Sequence, residues 1–170
     1  ENYEYLSFNE ETIKAIHKIL TARHIGYEKG GKYKTSDNVI AEKYPNGTIK
    51  RVIFVPTKAK DVDKVMKDFC LAYQVARDDY DIPTLLLNHC VNVDLLSIHP
   101  FSDGNGRVSR LLTLLLLYKE GYDIGKYISF ENQINKFKGN YYDVLERSQN
   151  QWHESSNTYY PFIQFTFQIL

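Results

Sequence analysis

Ile13, Ile16, Ile19 and Leu20 recur at helical intervals behind Ser7-Phe8-Asn9-Glu10, which has capping-box spacing. A first helix is predicted there, ended by Gly26, Gly30 and Gly31. The pattern then changes to two strand-like runs, Asn38–Tyr44 and Thr48–Val55. Pro45-Asn46-Gly47 between them predicts a hairpin, and Pro56 stops its second strand. From Asp61 the period is helical again, with Val62, Val65, Met66, Phe69, Ala72, Tyr73 and Ala76 on one face. Pro83 opens a further helix through Leu86, Leu87, Cys90, Val93 and Leu96 to Ile98. A loop follows, then a helix from Val108 to Lys119, apolar on nearly every side and closed by Gly121. Such a helix belongs at the centre of a bundle. Two more helices are predicted over Asn132–Asn150 and Pro161–Leu170. The expected fold class is mainly α, a helical bundle carrying one β-hairpin.

Composition narrows the picture. The 170 residues, 43% hydrophobic, fit one folded domain spanning 1–170, and a start without Met points to a fragment of a longer protein. Lys plus Arg and Asp plus Glu both number 21, so the basic excess of a nucleic-acid binder is absent and any positive site must be local. Leu111–Leu117 is far shorter than the roughly 20 apolar residues that span a bilayer. No leader is visible in Glu1-Asn2-Tyr3-Glu4, and Cys70 and Cys90 read as two buried thiols. A cytoplasmic protein without a nucleic-acid or membrane partner is expected.

The chemistry gathers in His99-Pro100-Phe101-Ser102-Asp103-Gly104-Asn105-Gly106-Arg107-Val108-Ser109-Arg110. Gly104 and Gly106 permit backbone torsions closed to other residues, so successive N–H groups can point inward as a nest. The loop opens a helix, whose N-terminus carries partial positive charge. Arg107 and Arg110, three apart, share a face of its first turns. Cations there oppose the helix dipole, a local cost that a bound polyanion offsets; a triphosphate fits. Asp103 is a single carboxylate beside the nest, which suits Mg²⁺ completed by phosphates and water. His99 can take a proton from an attacking hydroxyl near neutral pH. Pro100 and Phe101 read as structure, fixing the turn and anchoring it in the core. Zinc is disfavoured, since His99 and Asp103 have no third or fourth ligand nearby. His17, His24, His89 and His153 are expected to carry no catalytic role.

At these residues the chain resembles the Fic family, whose signature HxFx(D/E)GNGRxxR is matched at every specified position from His99 to Arg110. The resemblance extends over most of the chain. Ile16-His17-Lys18-Ile19-Leu20 is similar to the family's first core helix. Gly31-Lys32-Tyr33-Lys34 is similar to its G-x-Y-R segment, with Lys34 where Arg is usual. Phe54-Val55-Pro56 resembles the end of its flap hairpin. Tyr141-Tyr142 with Leu145 resembles its adenine-pocket helix, and Gln149 falls where Asn is frequent.

The resemblance implies a protein adenylyltransferase that moves AMP from ATP to a Ser, Thr or Tyr hydroxyl of a target protein, with Mg²⁺ or Mn²⁺. His99 would be the base. Asp103 would hold the metal between the α- and β-phosphates. Gly104 to Gly106, with the Asn105 side chain, would cradle those phosphates. Arg107 and Arg110 would bind the outer ones. Tyr142, Leu145 and Gln149 would line the base. The flap, including Asn38, Val39, Ile40, Val52, Ile53 and Phe54, would dock a target segment as an added strand. The intact Gly104-Asn105-Gly106-Arg107 favours adenylyl transfer over the phosphorylation of the Doc branch. Two alternatives remain: a non-catalytic strand-docking module, and a toxin transferring another nucleotide or phosphate-containing group. The family's inhibitory [S/T]xxxE[G/N] helix, whose Glu pairs with the second arginine, has no good match; Ser7 to Glu11 has the spacing but is followed by Thr12. Arg110 is therefore expected to be free, and the chain to modify itself at its termini or between Gly30 and Asn38.

Overall fold

The structure, a computed structural model, describes residues 3–25, 30–127 and 129–169. Among these are eight α-helices and one two-stranded antiparallel sheet: α1 Glu10–Ile25, β1 Ile40–Lys43, β2 Ile49–Phe54, α2 Val62–Asp78, α3 Thr84–Ile98, α4 Asn105–Lys119, α5 Ile124–Tyr127, α6 Phe130–Lys136, α7 Lys138–Gln149 and α8 Tyr160–Ile169. This is the mainly helical bundle with a hairpin that the hydrophobic pattern predicts.

Two apolar clusters hold it together. One gathers Ile13 of α1, Val62, Met66 and Phe69 of α2, Leu95 and Ile98 of α3, and Val108 and Leu112 of α4. The other joins Val93 and Leu96 of α3 to Phe130, Ile134, Tyr141, Leu145, Phe162 and Phe165 on α6, α7 and α8. Both α3 and α4 join the clusters: α3 is buried from Leu87 to Ile98 on nearly every side, and α4 gives Val108, Leu112, Leu115 and Leu116 to the first cluster and packs Leu114 on the second. The central position expected of α4 is one it shares with α3, the helix that ends in His99.

Local differences have local causes. Asn9, not Ser7, caps α1: its side-chain oxygen accepts the Thr12 N–H at 2.8 Å. Ile19, Ala72 and Leu86, expected on buried faces, are exposed. The strands are shorter than the runs that predict them, and their register shifts at Ile40/Ala41 and Glu42/Lys43. The hairpin closes with Gly47 at φ 84° and with Asn46 accepting from the Thr48 N–H and hydroxyl. The long helix expected over Asn132–Asn150 is two helices, broken at Phe137 (φ −112°, ψ 32°), whose ring packs on the second cluster. The short α5 carries no periodic signal of its own. Gly26, the side chain of His24, Glu1-Asn2 and Leu170 lie outside the described residues. No helix among the described residues is long and apolar enough to cross a membrane, and both cysteines are free thiols.

Candidate active site

The site forms where α3 stops and α4 starts. His99 closes α3 in the left-handed region, φ 51° and ψ 59°, with its N–H on the Leu95 carbonyl at 2.9 Å. A non-glycine residue there stores strain, which the tight turn holds in place. Its Nδ1 meets the Leu96 carbonyl at 3.3 Å. A carbonyl only accepts, so Nδ1 carries the proton and Nε2 presents a lone pair. Burial holds the imidazole below its ordinary range, with the Leu96 carbonyl and Asp103 pulling the other way and Lys34 adding to the depression. A neutral ring with a free Nε2 is the form a general base needs.

The turn after His99 is tied down residue by residue. The Pro100 carbonyl accepts the Lys34 N–H at 2.8 Å. Phe101 is fully buried and stacks on His17, centroids 3.9 Å apart. Asn105, 2% exposed, accepts the Phe101 N–H at 2.9 Å and donates to the Phe101 carbonyl at 2.8 Å. Its side chain is closed on the loop. That side chain shapes the turn through these two bonds.

The helix begins at Asn105, three residues earlier than the apolar pattern suggests. Its first bond runs from the Val108 N–H to the Gly104 carbonyl at 2.9 Å. The N–H groups of Asn105, Gly106 and Arg107 therefore have no helical acceptor. Gly104 sits at φ 83°, where a side chain would be strained. Gly106 does not: it is helical, and its contribution is a bare face, since an added Cβ would stand 3.3 Å from the Arg110 guanidinium. The expected pair of special torsions is thus one torsion and one open face.

A cavity of about 390 Å³ opens beside this helix start, within the size range of ligand sites. His99, Gly106 and Arg110 line it. Tyr142, Leu145 and Gln149 of α7 line it too, with Ile40 and Ile53 of the hairpin. Gln149 is buried and donates to the Ser97 hydroxyl at 3.1 Å. Of the remaining flap residues, Asn38 accepts from Lys34 Nζ at 2.8 Å, Val39 and Val52 are each 47% exposed, and Phe54 stacks on His153. Phe54 and Val52 face a second groove of about 630 Å³ outside β2.

The charges have partners that sequence spacing did not disclose. Arg107 contacts Asp103 at 3.3 Å, and its guanidinium lies 3.6 Å from where a Cβ on Gly104 would stand, as that of Arg110 lies 3.3 Å from one on Gly106. Arg110 meets Glu131 of α6 at 3.3 Å, which corrects the expectation that it stands free. Arg51 of β2 grips Glu146 of α7 with two hydrogen bonds, tying hairpin to cavity wall across 95 residues of chain. Glu42, Arg51, Asp143 and Glu146, all missed in the sequence reading, line the cavity. Asp103 is 73% exposed, an oxygen donor open to solvent and suited to a hard cation. Among the described residues no three His, Cys, Asp or Glu side chains gather to hold a metal, so a cation at Asp103 must draw its other ligands from phosphate and water.

Known proteins match both the sequence and the shape. The Fic/DOC family profile matches residues 7–117. A Fic family protein from Desulfovibrio desulfuricans superposes with a TM-score of 0.73 at 22% identity, over 98% of this chain and 46% of its own. A Fic domain containing signaling protein from Bacteroides thetaiotaomicron gives 0.73 at 19% identity, over 98% of this chain and 60% of its own. BepC, a VirB-translocated effector from Bartonella tribocorum solved with bound AMPPNP, gives 0.57 at 14% identity, over 99% of this chain and 79% of its own. At these identities the structures speak for the fold, and the chain spans about half the length of the first two. With the profile covering the turn that carries His99, Asp103 and Arg107, the chain belongs to the Fic/DOC family.

Proposed function

We propose that the chain is a protein adenylyltransferase that moves AMP from ATP onto a Ser, Thr or Tyr hydroxyl. One observation carries the reading: His99, whose Nδ1 faces the Leu96 carbonyl, borders the same cavity as Gly106 and Arg110 of α4. Free N–H groups and a cation at one wall suit a polyphosphate, and the Tyr142 and Leu145 wall suits a purine. The target hydroxyl oxygen bonds to the α-phosphorus as the α-phosphorus–oxygen bond to pyrophosphate breaks. The hydroxyl proton passes to His99 Nε2, and pyrophosphate leaves. Asp103 would hold Mg²⁺ or Mn²⁺, which when bound supplies charge neutralisation of the phosphates.

Each strand of the hairpin pairs on one side only among the described residues, so an extended target segment has an open edge to join. Main-chain pairing carries little side-chain information, which fits a loose sequence requirement. Self-modification follows at exposed hydroxyls beside the hairpin, such as Thr35 and Ser36. Arg110 is loosely held rather than free, since Glu131 is 63% exposed and an outer phosphate can displace it. The test is incubation with ATP and Mg²⁺ followed by intact-mass spectrometry, beside His99→Ala. One added adenylyl group on the parent alone supports the reading; a phosphoryl group instead, or no nucleotide binding, overturns it.

A further inference from the structure

His17 of α1 reaches the active turn, one helical turn before Thr21, whose methyl also lies against Gly104. It is 2% exposed and touches the turn at successive residues. Its ring stacks on Phe101 at an interplanar angle of 5°, and its Nε2 lies 3.1 Å from the Asp103 carbonyl. A Cβ on Gly104 would stand 3.5 Å from its Cδ2. On its far side the Gly31 N–H donates to Nδ1 at 2.8 Å.

These contacts fix the ring's chemistry. A backbone N–H only donates, so Nδ1 is the acceptor, and in a neutral imidazole the proton then sits on Nε2. Nε2–H donates to the Asp103 carbonyl. Phenylalanine would supply the same stacking; only a ring with an acceptor at one nitrogen and a donor at the other supplies both hydrogen bonds. The carbonyl it holds immediately precedes Gly104, where the chain turns through φ 83° into α4. Among the described residues the Asp103 carboxylate has one ion-pair partner, Arg107, at 3.3 Å. The backbone that carries it, which the His17 bond holds, fixes where that side chain starts.

We infer that His17 is a positioning residue: through its Nε2–H bond to the Asp103 carbonyl it sets the direction of the Asp103 carboxylate and of the free amides at the start of α4. This rests on the adenylyltransferase reading for its consequence in catalysis, but not for its geometry.

Two substitutions separate the two bonds. His17→Gln keeps a donor near the Nε2 position and loses the Gly31 acceptor. His17→Asn keeps an acceptor near the Nδ1 position and loses the donor. Four readouts are taken on the full chain: the His17 tautomer by long-range proton–nitrogen NMR, the Gly104 amide nitrogen shift, Mg-ATP affinity by calorimetry, and transfer rate. The Gly104 nitrogen shares a peptide with the Asp103 carbonyl, so it reports that bond directly. The inference predicts the Nε2–H tautomer, and a Gly104 shift displaced in Asn but near parent in Gln. It also predicts Mg-ATP affinity and kcat/KM reduced roughly 10- to 100-fold in Asn and only a few-fold in Gln, at similar Tm. An Nδ1–H tautomer overturns it, as do Gln and Asn variants indistinguishable in Gly104 shift, or losses that simply follow Tm. If the parent transfers nothing, the functional reading falls, and the tautomer and the Gly104 shift still decide the inference.

Discussion

Replacing Glu131 with Gln should tighten ATP binding. Its carboxylate lies 3.3 Å from Arg110, and the outer phosphates must compete with it for that guanidinium. At this distance Coulomb's law gives about 1 kcal/mol in bulk water and about 5 kcal/mol at an effective dielectric of 20. The low end applies, because Glu131 is 63% exposed and exposed pairs are worth at most about 1 kcal/mol. Removing about 0.5–1 kcal/mol of competition tightens ATP by roughly two- to fivefold. Isothermal calorimetry with ATP and AMP, at low and high salt, checks this. AMP lacks the outer phosphates and should gain nothing; the ATP gain should shrink as salt screens the pair. An unchanged ATP affinity, or an equal gain for AMP, would refute the placement of the outer phosphates at Arg110.

Three further outcomes follow. Asn105→Ala leaves the buried N–H and carbonyl of Phe101 unpaired and should cost roughly 2–4 kcal/mol, read as a lowered urea midpoint; an unchanged midpoint would remove Asn105 as the clasp of the turn. Burial depresses His99, so kcat/KM should rise through an acid limb centred below the ordinary imidazole value of 6.5 and then level off, because the base must be unprotonated; a limb above that value contradicts the buried neutral ring. Burial also raises the Asp94 carboxyl, against hydrogen bonds from Trp152 and Tyr159, so the folded state holds this proton more tightly than the unfolded chain does. Its contribution is fully present below the unfolded value and is lost as pH rises through the folded one. Asp94→Asn should therefore gain stability relative to the parent between acid and neutral pH in urea titrations, and a relative loss over that range would count against a buried carboxyl.

Much of the site is readable as a string because His99, Asp103, Gly104, Arg107 and Arg110 serve one short turn, and helical spacing carries local information. What escapes the string depends on distant partners. Gly-Asn-Gly reads as loop, yet Gly104 alone takes the left-handed torsion and Gly106 is already helical. His17 is a lone histidine on a helix until the fold brings Asp103 to it across 86 residues. Glu131 and Arg51 carry no local signal for partners at Arg110 and Glu146. Phe137 breaks a continuous helical pattern because its ring turns to the second core, a tertiary demand that periodicity does not record.

The central claim is that His99 deprotonates a hydroxyl that attacks the α-phosphorus of ATP. Transfer from ATP labelled on the α-phosphate, compared with ATP labelled on the γ-phosphate, tests it in the parent and in His99→Ala. The account predicts α-label on protein from the parent, no γ-label, and a loss of roughly 10²–10⁴-fold in His99→Ala with nucleotide binding retained. Incorporation of γ-label, or undiminished α-label in His99→Ala, would contradict it.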